Sequence, residues 1–519
     1  MRCFRAVCCC ALFLFCIVGG ALAQDVTLKS RDGLVALSGN LLGYDGEFYR
    51  VDSDYGVLML DGSGVLCEGP GCPNLDDFVA ELRISGAATI GNVLMPALVE
   101  GFGLRFGYSL QREEAASDTV VYTLTENPQN RVAGRFTIVS SNTDAGFDAL
   151  LNEGTDLVMA LREIRPDELR AAGAAGLGDL RHKGRSRVLA LDALVPIVAP
   201  GNPVRSIAIP DLARVLSGEV DNWTQLGGPD APIAVHVRAT TSGLGQAAED
   251  SLLSPIGATL SPQAVQHDSD AALLEAVLAD PFAIGLSSSS AVGTAVSLSL
   301  GGACGVTLQA TPRNAKTEDY PLTAPVFLYQ PALRLPKLAR EFLSYTRSAQ
   351  AQYVIRRAGF VDQLPEEVPI DAQGDRFANA IAHAGSAVPL EELQRMTARL
   401  SGMKRLTTSF RFQTGSADLD AQSQSNVALM ARALESGQYD GRDVIFIGFS
   451  DGEIGVEQSG ESAAERAETV RRAVLAAAQT IDLDRIDLKT DAFGEAMPIA
   501  CDDSAWGRDV NRRVEVWVR

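Results

Sequence analysis

Three short strings near the C-terminus carry residues that could grip a zwitterion. They are Gly448-Phe449-Ser450-Asp451, Glu465-Arg466-Ala467 and Asn511-Arg512-Arg513-Val514-Glu515-Val516. An aspartate can take an ammonium group, and an arginine fork can hold a carboxylate in a bidentate, charge-assisted pair. Asp451 and Arg466 would equally serve as a plain structural salt bridge. The elements that must position them are legible. Val444-Ile445-Phe446-Ile447 reads as a central strand and Gly448 to Asp451 as the loop at its end, where ligand contacts are common. Arg466 falls early on the following helix, from which it can point back at that loop.

Elsewhere the chemistry is sparse. The four histidines, at 182, 236, 267 and 383, have no metal-ligand spacing. No Ser/His/Asp set or paired carboxylates stand in a motif context, so neither an enzyme nor a cofactor is expected. Arg2 and Arg5, an apolar run over 6–18 and the small residues of Ala21-Leu22-Ala23 predict a secretory signal peptide over 1–23. That run is shorter than the roughly 20 residues that span a bilayer. Cys16 follows bulky Phe15, which disfavours lipid attachment. An exported chain then retains Cys67, Cys72, Cys304 and Cys501. Cys67-Glu-Gly-Pro-Gly-Cys72 closes a loop whose Gly and Pro residues suit a disulfide turn, and its spacing suits neither zinc nor a redox pair. Cys304 and Cys501 then pair by elimination, or stay free and buried. Losing Arg2 and Arg5 takes the formal charge from −20 to −22. Such an acidic chain disfavours nucleic acid and anionic membrane as non-specific partners.

Patterning divides the 519 residues into parts. Residues 24–76 alternate like strands, broken by Arg31-Asp32-Gly33, Tyr44-Asp45-Gly46 and Asp61-Gly62-Ser63-Gly64, and predict a small antiparallel β unit. Over 80–362 strands and helices alternate, as in an α/β architecture with parallel strands. Residues 363–404 read as a linker with a helix over 391–400. A second α/β unit fills 405–519, with strands near 410, over 443–448, 485–490 and 514–518, and helices over 425–434 and 463–478.

The segment 405–519 resembles the OmpA-like peptidoglycan-binding domain, an α/β sandwich. The family's Gly-His-Thr-Asp loop, Arg-Ala helix start, Gly-Glu-x-x-Pro turn and Asn-Arg-Arg-Val strand appear in order. Here they are Gly448-Phe449-Ser450-Asp451, Arg466-Ala467, Gly494-Glu495-Ala496-Met497-Pro498 and Asn511-Arg512-Arg513-Val514. The resemblance implies that Asp451 and Arg466 grip the diaminopimelate of a peptidoglycan stem. Phe449 and Ser450 depart from the family's His and Thr, so the loop's hydrogen bonding differs.

The segment 80–362 resembles the periplasmic phosphate-binding proteins, the two-lobed receptors of ABC importers. The likeness runs through Ile84-Ser85-Gly86-Ala87-Ala88-Thr89, Asp156-Leu157-Val158-Met159-Ala160-Leu161-Arg162, Arg238 with Ser242-Gly243, and Tyr320-Pro321-Leu322. It implies Thr89, Arg162, Arg238, Ser242 and Gly243 as oxyanion ligands. Ala87, Ala88, Leu161 and Leu244 stand where the family places hydroxyls, and each lost donor costs a desolvated anion roughly 1–3 kcal/mol. An ion pair with a neighbouring acid is the alternative role for Arg162. The combined expectation is a non-catalytic periplasmic protein held to peptidoglycan near the outer membrane. Its two-lobed domain binds phosphate or another small anion and serves an ABC importer. The alternative is a structural envelope protein whose two-lobed domain is an interaction surface without a solute.

Overall fold

The structure is a computed structural model that describes residues 25–75, 77–182, 184–301, 307–384, 388–413, 415–452, 456–502 and 505–519. The expected signal peptide and Cys304 lie outside the described residues. Among those described, no helix is long and apolar enough to cross a membrane.

The chain divides into two compact units, 1–78 and 79–519. The first is a five-stranded antiparallel sheet, in the order Gly56–Asp61, Phe48–Ser53, Ala36–Tyr44, Val26–Ser30, Val65–Glu68. Its buried core is small: Val26, Leu28, Tyr49 and Val51, with Tyr44 against Tyr49. A core of that size gains from a covalent staple, and the Cys67–Cys72 disulfide supplies one, as expected.

The second unit begins with a long sheet that runs through both lobes of the α/β region. Its continuity depends on the thirteen-residue strand Ser186–Val198. The first half of that strand pairs with Thr323–Tyr329, and its second half with Ala283–Ser288. One lobe adds Leu157–Ala160, Ala80–Ala87 and Arg131–Ser141. The other adds Ala234–Arg238 and Val265–His267. The sheet is mixed rather than parallel. Tyr108–Ala116, Thr119–Glu126 and Arg131–Ser141 form an antiparallel meander, because the turns joining them are too short for a parallel crossover. Trp223 anchors the core of the second lobe and donates from its indole to the Phe282 carbonyl at 2.8 Å.

The C-terminal sheet has the order Glu367–Pro369, Lys404–Arg411, Arg513–Val518, Asp443–Gly448, Asp487–Ala492. The unbroken apolar run of 444–447 requires cover on both faces. Val444 and Phe446 pack under the helices Ala421–Glu435 and Val456–Ala477. Ile445, Ile447 and Trp517 turn the other way, against Ala380, Leu393, Met396 and Leu400. Those residues belong to the helices Gly374–Ala382 and Leu390–Leu400, so the 363–404 stretch is built into this domain. It supplies an edge strand and the second helical layer.

A buried ion network ties the C-terminal sheet to the α/β region. Arg405 pairs with Asp319 at 2.6 Å and with Glu515 at 3.3 Å, and Glu515 also holds Arg513 at 2.8 Å and Arg376. Burial raises the Glu515 carboxyl, but Arg376, Arg405 and Arg513 overcome this and hold it well below the usual range. Removing one member of such a set strands the others unpaired in a low-dielectric interior.

Candidate functional site

The C-terminal constellation is assembled by close backbone approach. Gly448 ends its strand directly against the helix Val456–Ala477. A Cβ there would lie 1.9 Å from the Ala463 carbonyl oxygen, so only glycine fits. The loop then turns through Phe449, whose amide donates to the Arg513 carbonyl, and Ser450, whose amide donates to the Gly494 carbonyl. Phe449 points inward, into the cluster of Ile445, Ile447 and Phe493, and carries the Arg513 guanidinium 4.2 Å from its ring centre. The departure from the family's histidine therefore falls on the core side of the loop.

Asp451 is buried and paired with Arg512 at 2.6 Å. Arg512 thereby braces the loop through the site's own carboxylate. Arg466 lies within electrostatic reach of Asp451 and has its guanidinium 5.7 Å from the Phe412 ring. Burial first, then the Arg512 charge, lowers its proton affinity. The Arg466 Nη1 and the Ser450 Oγ are both buried without a hydrogen-bond partner. Unmet polar atoms also occur at Arg162, Arg376 and Arg405. Here two of them stand on the loop and helix that flank Asp451, where an incoming polar group could satisfy both. Asn511 braces the neighbouring loop. Its Oδ1 accepts from the Ile499 and Ala500 amides, and its Nδ2 donates to the Ala500 carbonyl. Arg513 is fully buried and donates to Glu515 and the Met497 carbonyl, a structural role.

The cleft between the lobes presents a different picture. Thr89 opens the helical stretch Ile90–Leu94 and makes no capping bond with its side chain. Ser242 caps Gly243–Ala248, accepting from the Gly245 amide at 3.0 Å. A Cβ on Gly243 would meet the Ala87 Cβ at 3.0 Å and the Leu161 Cδ1 at 3.2 Å. Gly243 thus lies close to the side chains of Ala87 and Leu161, with room for no side chain of its own without a shift. Arg238 is turned to its own lobe, pairing with Asp270 and donating to the His267 and Asp268 carbonyls.

Arg162 is enclosed by carboxylates. It pairs with Asp144 and with Glu168 at 2.7 Å, and its Nε lies 3.7 Å from Asp250. Arg165 also reaches Asp144 at 3.2 Å and Asp250 at 3.1 Å. Asp144 and Glu168 come from the first turns of helices Thr143–Leu151 and Pro166–Ala174 in one lobe. Asp250 comes from the other, in Glu249–Leu253. The set is an internal latch across the cleft, with three carboxylates against two guanidiniums. Burial disfavours the Arg162 charge, but Glu168 and Asp144 outweigh it and raise its proton affinity.

Of the remaining expected residues, Cys501 is disulfide-bonded. No cluster of three or more metal-ligating side chains occurs among the described residues.

A family model described as a PBP superfamily domain matches residues 80–350. Another, described as the OmpA family, matches residues 411–512. Among curated proteins, the phosphate-binding protein PstS of Borreliella burgdorferi is 27% identical over 165 residues, 29% of this chain and 55% of that protein. Protein SphX of Synechococcus elongatus is 27% identical over 237 residues, 43% of this chain and 68% of that protein. The chain thus spans little more than half the length of the first of these relatives. Among solved structures, an ABC-type phosphate transport receptor from Vibrio cholerae is 20% identical. That match covers 54% of this chain and 99% of the receptor, with a TM-score of 0.41.

Proposed function

The chain belongs to the PBP superfamily and carries an OmpA family domain, and from that premise we propose a non-catalytic envelope protein held to peptidoglycan, whose closed two-lobed domain acts as an interaction body. The observation that carries the tether is the unmet pair of Arg466 Nη1 and Ser450 Oγ beside the Asp451 carboxylate. A zwitterionic amino-acid terminus in the peptide stem satisfies all three. Its ammonium meets Asp451, and its carboxylate meets Arg466, with Arg512 alongside. Co-sedimentation with diaminopimelate-type sacculi tests this reading. Binding that survives in Asp451→Ala would refute it.

A second reading keeps the two-lobed domain as a solute receptor that serves an importer, and the phosphate-binding names of its relatives favour it. The latch weighs against that reading. Phosphate entering this cleft must displace Asp144, Glu168 and Asp250 from around Arg162, where like charges raise the cost. Titration with inorganic phosphate decides between the two: binding that disappears in Arg238→Ala places the solute in the cleft and establishes the receptor.

A further inference from the structure

Away from both sites, three guanidiniums converge where the α/β region meets the C-terminal domain. Arg187 projects from the strand Ser186–Val198, and Arg347 follows the helix Lys337–Tyr345. Arg432 sits in the last turn of Ala421–Glu435. All three line one cavity of about 230 Å³, and no carboxylate is among its described lining residues. Arg187 donates to the Leu343 carbonyl at 2.9 Å and to Gln330 at 3.3 Å, neutral acceptors that leave its charge uncompensated. The acid closest in sequence to Arg432, Glu435, accepts the Gln479 and Thr480 amides and acts on Arg432 through space, outweighed by desolvation of the guanidinium.

The three charges act on one another. Partial desolvation, then Arg347 and Arg432, pushes Arg187 down to about 9, and partial desolvation and Arg432 lower Arg347, although Arg347 and Arg432 keep exposed surface. Such crowding is out of keeping with a chain of net charge −20, since evenly spread acids would have compensated it. A second observation stands in the same cavity. Gln363 Oε1 is buried without a partner, while its Nε2 donates to the Val188 carbonyl at 2.7 Å and so fixes the amide's orientation. The cavity therefore offers several donors with positive charge and one acceptor that needs a proton.

We infer that this joint binds a tetrahedral oxyanion that retains a proton at neutral pH, the chemistry of inorganic hydrogen phosphate. Its charged oxygens take the Arg187, Arg347 and Arg432 donors, and its P–OH donates to Gln363 Oε1. Sulfate matches the shape and charge but has no proton to give. Arg432 belongs to the C-terminal domain and the other two guanidiniums to the α/β region, so a bound anion joins them.

Titration calorimetry on the whole protein, with inorganic phosphate, sulfate and glycerol phosphate at matched ionic strength, tests the site. Saturable phosphate binding is expected, with sulfate at least about tenfold weaker. Glycerol phosphate, at about pH 7.5 mainly a dianion without a P–OH, is expected to bind as weakly as sulfate, and affinity equal to that of inorganic phosphate overturns the role given to Gln363. Charge reversal in Arg347→Glu or Arg432→Glu, both solvent-facing, weakens binding at least tenfold, whereas Arg238→Ala in the cleft leaves it unchanged. Circular dichroism checks that the variants fold. Absence of saturable binding, equal affinity for sulfate, or loss in Arg238→Ala with retention in Arg432→Glu overturns the inference.

Discussion

The interlobe cleft and the C-terminal loop both place arginine beside aspartate, with opposite outcomes. Around Arg162 the chain supplies three carboxylates of its own, drawn from both lobes. Around Asp451 the carboxylate has Arg512, yet Arg466 and Ser450 keep buried polar atoms unmatched. Charge identity alone does not make a site. An unmet donor does not by itself separate the two, since the Arg162 Nε is also buried without a hydrogen bond. The difference is that the chain's own carboxylates balance the Arg162 charge, which makes it a fastener.

Four experiments break or sharpen that contrast. Arg162→Ala strands Asp144 and Glu168, and the two-lobed domain is expected to lose about 3 kcal/mol of stability. Hydrogen exchange over Pro166–Ala174 reports the loss, and sacculus binding stays unchanged. Wild-type exchange in this variant would show that the latch does not fasten the lobes. Asp451→Ala also costs stability, because Arg512 loses its buried partner, but unlike Arg162→Ala it should lower sacculus affinity by about 10- to 100-fold. Sacculus affinity unchanged in a variant that still folds would make Asp451 a fastener only.

Asp250→Asn removes only the partly exposed arm of the latch, worth about 1 kcal/mol. Small-angle scattering should then detect a more open two-lobed domain; an unchanged curve counts against Asp250 as a clasp. The last effect is slight at pH 5 and grows with pH. Burial, then Asp420, pushes Glu318 up to about 8 from 4.5. Between those values the folded chain holds a proton that the unfolded chain has lost, so stability falls as pH rises. Glu318→Gln should flatten that fall between pH 5 and 8 in denaturant titrations. Parallel curves for the two proteins would refute the assignment.

Much of the architecture was legible because it is local. The period-two runs broken at Gly33, Gly46 and 61–64 gave the N-terminal sheet, and the Gly448, Arg466 and Asn511 strings gave the C-terminal domain. The 363–404 stretch reads as a linker with a helix over 391–400; the helix is present, but the stretch is part of the domain. Its short strand and two amphipathic helices show their purpose only against the second face of the sheet, at Ile445 and Trp517. The antiparallel meander over 108–141 escaped notice because strand direction depends on turn length more than on composition.

Sequence by itself determined the residue types at each site, the Cys67–Cys72 loop and the families to which the two larger parts belong. Tertiary structure decided what the charges do. Asp144, Glu168 and Asp250 are far apart along the chain, as are Arg187, Arg347 and Arg432, and no local pattern foretells which of them meet. Coulomb energies and desolvation depend on distance and burial in three dimensions. The same arginine can therefore read as a ligand in the string and become a latch in the fold.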